Sequence, residues 1–215
     1  MSRTLLLLHG YQQNVEIFKT EITPVEKVIY ETFTTQIRIV YIEAPFHAGE
    51  TMSGIATRSW WDPNAFENVD RIHDTLRHMS RILEQYGPFD GIVGFSQGGA
   101  LAAIMAGLLE RPAKNRPISF NTAHPRVKFV VSYSGYREHY NALQNFYEHK
   151  IQTPVLHFIN TDDPIVSEDR CIRLTERCAD VDGRVVSYTS PFHRVPTSKQ
   201  TRSALKRFLS EFAEA

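Results

Sequence analysis

Ser96 stands in the segment Gly94-Phe95-Ser96-Gln97-Gly98, where a glycine lies two positions away on each side of the serine. An apolar run precedes the segment and small apolar residues follow it, so the pattern predicts a strand, a tight turn and a helix. The two glycines leave room for a strained turn that exposes the serine hydroxyl. The segment therefore indicates a nucleophilic serine, with a glycine-rich turn of no chemical role as the alternative.

A base that could activate Ser96 lies further along the chain. A serine hydroxyl is a poor nucleophile until a base takes its proton, and that base is most often a histidine held by a carboxylate. For a serine on a strand–turn–helix of this kind, the order along the chain is serine, acid, histidine. Of the nine histidines, only His193 lies beyond Asp163. His193 is the predicted base, and a solvated loop side chain is the alternative.

The acid is one of two adjacent aspartates, Asp162 and Asp163, which follow an apolar segment. Pro164 biases Asp163 towards an extended backbone, which suits a side chain that projects from a turn. Asp162 could instead brace the same loop through a hydrogen bond to a backbone N–H, a common role for aspartate in turns. Local chemistry favours Asp163 and leaves Asp162 open.

A carbonyl attacked by Ser96 would develop negative charge, which is best stabilised by backbone N–H donors. One donor is expected from the residue after the nucleophile, and another from the loop after the first strand. Gln97 holds the first position, and Tyr11, directly after His9-Gly10, holds the second. We predict an oxyanion hole from the N–H groups of Tyr11 and Gln97, with an ordinary turn at His9-Gly10 as the alternative.

A candidate acyl pocket comes from a stretch without regular structure, residues 46–64, and from aromatic residues elsewhere. Connections of this length are usually functional, and this one contains Trp60 and Trp61. We predict that the stretch, Phe192 and the aromatic segment 140–147 line an apolar pocket. Trp60 and Trp61 could equally be core residues.

Six apolar segments that alternate with helical patterns predict the elements that position these residues. Such alternation is typical of a parallel sheet with helices on both faces, here a three-layer α/β sandwich in a single domain, residues 1–215. In such sheets the chemistry gathers at the carboxyl ends of the strands. His9-Gly10, Ser96, the two aspartates and His193 all fall just after predicted strands. The predicted strands are residues 4–8, 37–42, 89–93, 127–132, 155–159 and 184–188.

Helix signals complete this outline. Asn14 is a plausible N-cap for a helix that ends near Thr32, with Pro24 expected to interrupt or restart it. Residues 69–86 carry apolar side chains at helical spacing. Cys171 and Cys178 fall in one predicted helix, too far apart there to form a disulfide.

Charge and composition argue against several classes of partner. Lys and Arg number 24, equal to Asp and Glu, and without a basic stripe nucleic acid is not the expected partner. The apolar run Leu5–Leu8 is too short for a signal-peptide core or a membrane span. His73 and His78 have the wrong spacing for a helical zinc pair, so no metal is expected.

Two unpaired thiols suggest a reducing compartment. We therefore expect a cytoplasmic protein, with the nucleus as the alternative, and no association with membranes. The sequence leaves the oligomeric state open.

Four motifs together resemble one known family. They are the segments Leu8–Asn14, Gly94–Ala100, Asp163–Val166 and His193–Pro196. In these, the chain is similar to the FSH-type serine hydrolases, small α/β-hydrolases that include eukaryotic carboxylesterases and fungal polyketide-releasing thioesterases. Trp60-Trp61 also resembles the aromatic pair in that family's loop after the second strand.

The resemblance implies an α/β-hydrolase core without the two leading antiparallel strands. It also implies a triad of Ser96, Asp163 and His193, and oxyanion donors at Tyr11 and Gln97. The expected substrate is a small-molecule acyl ester or thioester, cleaved through an acyl-serine without any cofactor. The alternative is a hydrolase-fold protein that binds a ligand or partner without turnover.

The chain departs from the family pattern at two places. Asn160 stands where the family usually has glycine, which we expect to be tolerated because asparagine accepts a left-handed backbone. Pro191 and Phe192 stand where the family has small glycines before the histidine. We expect this change to alter the movement of the His193 loop or to narrow its pocket.

Overall fold

The architecture is a six-stranded parallel sheet between two layers of helices, seen in a computed structural model that describes residues 2–63, 69–138 and 144–213. The strands are β1 (Arg3–Leu8), β2 (Ile37–Ile42), β3 (Phe46–Glu50), β4 (Ala56–Ser59), β5 (Gly91–Phe95), β6 (Phe129–Tyr133), β7 (Val155–Asn160) and β8 (Val185–Tyr188). The α-helices of the described residues are α1 (Val15–Thr32), α2 (Val69–Tyr86), α3 (Gln97–Glu110), α4 (Glu168–Thr175) and α5 (Lys199–Ser210).

The strand order of the main sheet is β2-β1-β5-β6-β7-β8, and every neighbouring pair is parallel. The chain moves outward from β1 to β2 and then returns to the other side of β1 at β5. The carboxyl ends of β1 and β5 therefore flank the point at which the strand order reverses, where ligands bind in open α/β sheets. The prediction of six parallel strands is confirmed, with strand ends that differ by at most two residues.

The core lies on both faces of this sheet. Side chains alternate along a strand, so Leu6 and Leu8 of β1 pack under α2 and α3, while Leu5 and Leu7 pack under α1 and α5. Helix α3 is buried along its whole length except at Glu110. Its small residues allow a close approach to the sheet, which holds the start of α3 firmly at the sheet edge.

The prediction of an irregular stretch at residues 46–64 is wrong for residues 46–59. Strands β3 and β4 form an antiparallel hairpin outside the main sheet, with a register shift between His47 and Glu50. Gly49 lies within this shift at φ 94°. A bulge breaks the alternation of side chains, and it removes the sequence signal for strands this short.

Helix α1 is continuous, so the predicted interruption at Pro24 is wrong. Proline removes one backbone hydrogen bond, but the buried face of α1, which includes Phe18, Ile22 and Ile29, holds the helix in place. The N-cap prediction is confirmed, because Asn14 Oδ1 accepts a hydrogen bond from the N–H of Ile17 at 2.8 Å.

The two cysteines do not share a helix, contrary to prediction, because α4 ends at Thr175. Cys171 and Cys178 are both buried and both free. None of the helices in the described ranges is long and apolar enough to cross a membrane.

His157 on β7 is buried in the sheet, and its Nε2 has no hydrogen-bond partner among the described residues. Burial lowers the pKa of His157 from 6.5 to about 4. Between these values the unfolded chain binds a proton that the folded protein does not, so this histidine makes stability fall as pH falls.

We predict that His157→Leu removes about 2 kcal/mol of the stability loss between pH 7.5 and 4.5. Urea unfolding of the wild type and the variant at both pH values measures this difference. The exposed His149, changed to Leu, is the control and should leave the loss unchanged. An equal loss in His157→Leu and the wild type would contradict the prediction.

Candidate active site

Ser96 occupies a sharp turn between β5 and α3, with φ 53° and ψ −119°. A positive φ is strained for a serine, and close backbone packing maintains it. An added Cβ at Gly94 would lie 2.2 Å from the carbonyl oxygen of Gly98, and one at Gly98 would lie 2.3 Å from that of Leu8. Only glycine fits at these two positions, so the tight turn predicted from the glycine spacing has a steric basis. We call this turn at Ser96 the elbow.

The close packing of Gly98 on the end of β1 brings the following loop beside Ser96. An added Cβ at Gly10 would lie 3.2 Å from Cβ of Ser96. Among the described residues, nothing accepts a hydrogen bond from the N–H of Tyr11 or Gln97. Both N–H groups are therefore unpaired in the described part of the chain, as the predicted role in an oxyanion hole requires.

His9 fixes the loop that carries Tyr11. The N–H of Ala44 donates to Nε2 of His9 at 3.1 Å, so Nδ1 carries the proton and donates to the carbonyl of Gly10 at 2.8 Å. Burial lowers the pKa of His9, which keeps the ring neutral. The indole N–H of Trp60 donates to the carbonyl of His9 at 2.8 Å.

The Gln97 side chain connects the elbow to the adjacent tryptophans Trp60 and Trp61. Its Oε1 accepts from the N–H of Trp60 and its Nε2 donates to the carbonyl of Trp61, both at 2.9 Å. The two tryptophans are at most 4% exposed and belong to the core cluster under α2 and α3. They pack in the core and hold Gln97 in place. Their role in an acyl pocket stays a prediction.

The remaining pocket candidates lie in different surroundings. Phe146 and Tyr147 are buried in the core, so the structure gives them no open surface, and Tyr140 lies outside the described residues. Phe192 is 58% exposed and lines a groove of about 850 Å³ between the His193 loop and α1.

Asp163 accepts a hydrogen bond from His193, with 2.6 Å between Oδ2 and Nδ1. Its Oδ1 accepts from the N–H groups of Ile165 and Val166, each at 2.9 Å. Burial raises the pKa of Asp163, but the hydrogen bonds from His193 and these N–H groups outweigh it and leave the pKa below its usual value. The carboxylate therefore stays ionised beside the imidazole.

The structure brings Asp163, and not Asp162, to the histidine. Asp162 is exposed, and its carboxylate has no hydrogen bond with the described part of the chain. The bracing role considered for Asp162 belongs to the Asn160 side chain, whose Oδ1 accepts a hydrogen bond from the N–H of Asp162 at 3.3 Å.

Nδ1 of His193 is paired with Asp163, and Nε2 has no hydrogen-bond partner among the described residues. The ring of Phe95, the residue before Ser96, packs on the imidazole at 4.7 Å between centroids. The Ser96 hydroxyl has no hydrogen-bond partner in residues 2–63, 69–138 and 144–213. A hydrogen bond between a nucleophilic serine and its base is often long in a protein without substrate and shortens when the substrate binds.

Asn160 holds the His193 loop, a role that sequence reasoning missed. Its Nδ2 donates to the carbonyls of Ser190 and Phe192 at 2.8 and 3.1 Å, and its Oδ1 accepts from the N–H of Ser190 at 2.8 Å. Its φ is not positive, so the tolerance of asparagine for a left-handed backbone plays no part at this position. The side chain at the end of β7 explains the asparagine.

Ser134 also went unrecognised in the sequence. It follows β6, next to β7 in the sheet, and its hydroxyl donates to Oδ2 of Asp163 at 3.2 Å. Its place after an apolar strand was the available signal. Among the described residues no three His, Cys, Asp or Glu side chains form a group that could hold a metal.

Comparison with known proteins identifies the family. A family model described as "Serine hydrolase (FSH1)" matches residues 1–205. The chain belongs to this family of serine hydrolases, which confirms the resemblance seen in the motifs. Membership of the family supports an enzyme of hydrolase type.

Two curated relatives and one solved structure are similar to the chain. Dihydrofolate reductase of Schizosaccharomyces pombe is 28% identical over 225 residues, 97% of this chain and 48% of the relative, so the chain spans about half that protein's length. Esterase OVCA2 of Danio rerio is 28% identical over 234 residues, 97% of this chain and 96% of the relative. Zea mays acyl-protein thioesterase 2 shares the fold, with a TM-score of 0.65 at 17% identity over 98% of this chain and 93% of that chain.

Proposed function

We propose that the protein is a serine hydrolase that cleaves small-molecule acyl esters or thioesters through an acyl-serine intermediate. The observation that carries this proposal is the hydrogen bond of 2.6 Å between Asp163 and His193, at the same sheet edge as Ser96 on its strained turn. A binding protein without turnover would be favoured by the loss of a triad member, and the chain retains all three.

In the proposed mechanism His193 acts first as a base. Its Nδ1–H donates to Asp163, so Nε2 takes the proton of the Ser96 hydroxyl as the oxygen attacks the acyl carbonyl. The ionised Asp163 stabilises the resulting imidazolium and holds its orientation. The imidazolium then gives its proton to the leaving alcohol or thiol, which leaves the acyl group on Ser96.

A water molecule completes the cycle. His193 removes a proton from the water as it attacks the acyl-serine, and the acid leaves when Ser96 regains its proton. In both halves the carbonyl oxygen becomes an anion, which the free N–H groups of Tyr11 and Gln97 stabilise. Donors held in place before the reaction need no reorganisation, which makes this stabilisation a large contribution to the rate.

The choice of ester or thioester as substrate class is supported by the acyl-serine chemistry and by one relative's name. A carbonyl with an alcohol or thiol leaving group is what this arrangement of nucleophile, base and anion site can activate. The Danio rerio relative, matched over 96% of its length, is named an esterase. The chemistry we propose uses neither a metal nor an organic cofactor.

We predict that Ser96→Ala lowers turnover of a p-nitrophenyl ester by about 10⁴-fold or more, because only binding and the oxyanion site remain. Thermal unfolding should change little, since alanine retains the backbone and Cβ of the turn. Ser203→Ala, an exposed serine on α5, is the matched control. More than about a tenth of wild-type turnover in Ser96→Ala would rule out Ser96 as the nucleophile.

The two aspartates should respond differently to the same substitution. Asp163→Asn should reduce turnover by about 10³- to 10⁴-fold, because the histidine loses its orienting charge. Asp162→Asn should cost about tenfold or less, since its side chain is exposed and makes no hydrogen bond with the described residues, and such surface substitutions usually have small effects. Steady-state kinetics of both variants on one ester provide the comparison. If Asp162→Asn is the variant that loses turnover about 10³-fold or more, the acid is misassigned.

A further inference from the structure

Glu21 on α1 lies between the two loops that carry the proposed oxyanion donor and the proposed base. One oxygen, Oε2, accepts a hydrogen bond from Nε2 of Gln13 at 2.7 Å. The other, Oε1, accepts from the N–H of Val195 at 2.8 Å. Gln13 in turn accepts from the N–H of Gly10 through Oε1 at 2.8 Å. We call these three hydrogen bonds the Gln13–Glu21 relay.

The relay joins segments far apart in sequence at the points where they enter the site. Gly10 directly precedes Tyr11 and lies against Ser96, where an added Cβ would be 3.2 Å from Cβ of the serine. Val195 follows His193 by two residues and is buried under α1 and α5. A single carboxylate therefore holds the oxyanion loop on one side and the histidine loop on the other.

The direction of every hydrogen bond in the relay is determined by its ends. Gly10 and Val195 both present a backbone N–H, which can only donate. The amide oxygen of Gln13 must face Gly10, so its NH₂ group faces position 21. Position 21 then meets one donor on each side and needs two acceptors, which a carboxylate supplies and an amide does not.

We propose that Glu21 is a positioning residue for the reaction at Ser96, an inference that rests on the proposed function. It sets the distance between the donor at Tyr11 and the base at His193 by anchoring both loops to α1. Small errors in such geometry are costly, because a displacement of about 1 Å can reduce a rate about 10²-fold. The residue acts through the loops and touches no reacting atom.

Glu21→Gln tests the relay with little change in size. Its amide forces one contact to become donor against donor, either at Val195 or at Gln13. We expect kcat for a p-nitrophenyl ester to fall about 10- to 100-fold. KM should stay within about threefold, because the loss falls on the alignment of donor and base in the transition state and not on ground-state binding.

The double variant Gln13→Glu, Glu21→Gln separates the relay from a general effect of the substitution. The new carboxylate at position 13 accepts from Gly10 and from the new amide at position 21, whose oxygen accepts from Val195. All three hydrogen bonds are restored, and the negative charge moves from position 21 to position 13. We expect kcat to return to within about threefold of wild type, whereas Gln13→Glu alone, with two facing carboxylates, should be impaired.

Matched measurements make each outcome decisive. Glu31→Gln, an exposed glutamate on α1, should leave kcat unchanged. Amide hydrogen exchange should be faster at Gly10 and Val195 in Glu21→Gln and normal in the double variant. If Glu21→Gln does not fold, Gln13→Leu removes the middle of the relay and should show the same fall in kcat.

Labelling with a fluorophosphonate probe distinguishes failure of the relay from failure of the proposed function. If wild-type Ser96 does not react with the probe, the proposed function fails and this inference fails with it. If the wild type reacts but Glu21→Gln reacts and turns over at the same rate, the relay alone is overturned. A folded double variant that stays as slow as Glu21→Gln overturns it equally.

Discussion

The close contact between Gly98 and the end of β1 is the constraint on which the site depends. No side chain fits at Gly98, where an added Cβ would lie 2.3 Å from the carbonyl oxygen of Leu8. This contact sets the start of α3, where Gln97 lies, against the end of β1 and the loop that carries Tyr11. It also holds Ser96 at its positive φ, a strain that the surrounding backbone has to maintain. A buried, small-residue helix behind the turn provides that rigidity.

The two histidines near Ser96 have different surroundings. His9, beside the loop that carries Tyr11, is neutral because burial lowers its pKa. Across the sheet edge, Asp163 is ionised and accepts hydrogen bonds from His193, Ser134 and two backbone N–H groups. A single oriented carboxylate beside one imidazole is the arrangement that serine activation requires.

Much of this could be predicted from the sequence, because the signals are local. Apolar strands, helix periodicity and the glycines around Ser96 are read within a few residues of one another, and they predict the sheet and the elbow. Once the fold class is predicted, the order of Ser96, the aspartates and His193 along the chain is enough to propose a site. The hairpin at residues 46–59 was not predicted, because its bulge removes the alternation of side chains that identifies strands.

The supporting residues could not be predicted, because their partners are distant in sequence. Asn160 holds a loop 30 residues away, and Glu21 meets Val195 across 174 residues. Neither residue type has a distinctive pattern around it, since asparagine and glutamate are common on surfaces. Their roles follow only from the packing of α1 and the carboxyl ends of β7 and β8 at one edge of the sheet.

The formation of an acyl group on Ser96 during turnover is the most direct test of the proposed mechanism. Rapid acid quenching during hydrolysis of a p-nitrophenyl ester, followed by intact-protein and peptide mass spectrometry, measures it. The account predicts a transient species heavier by the acyl group, with the added mass on the peptide that contains Ser96. Turnover without such a species, or with the acyl group on another residue, would contradict the account.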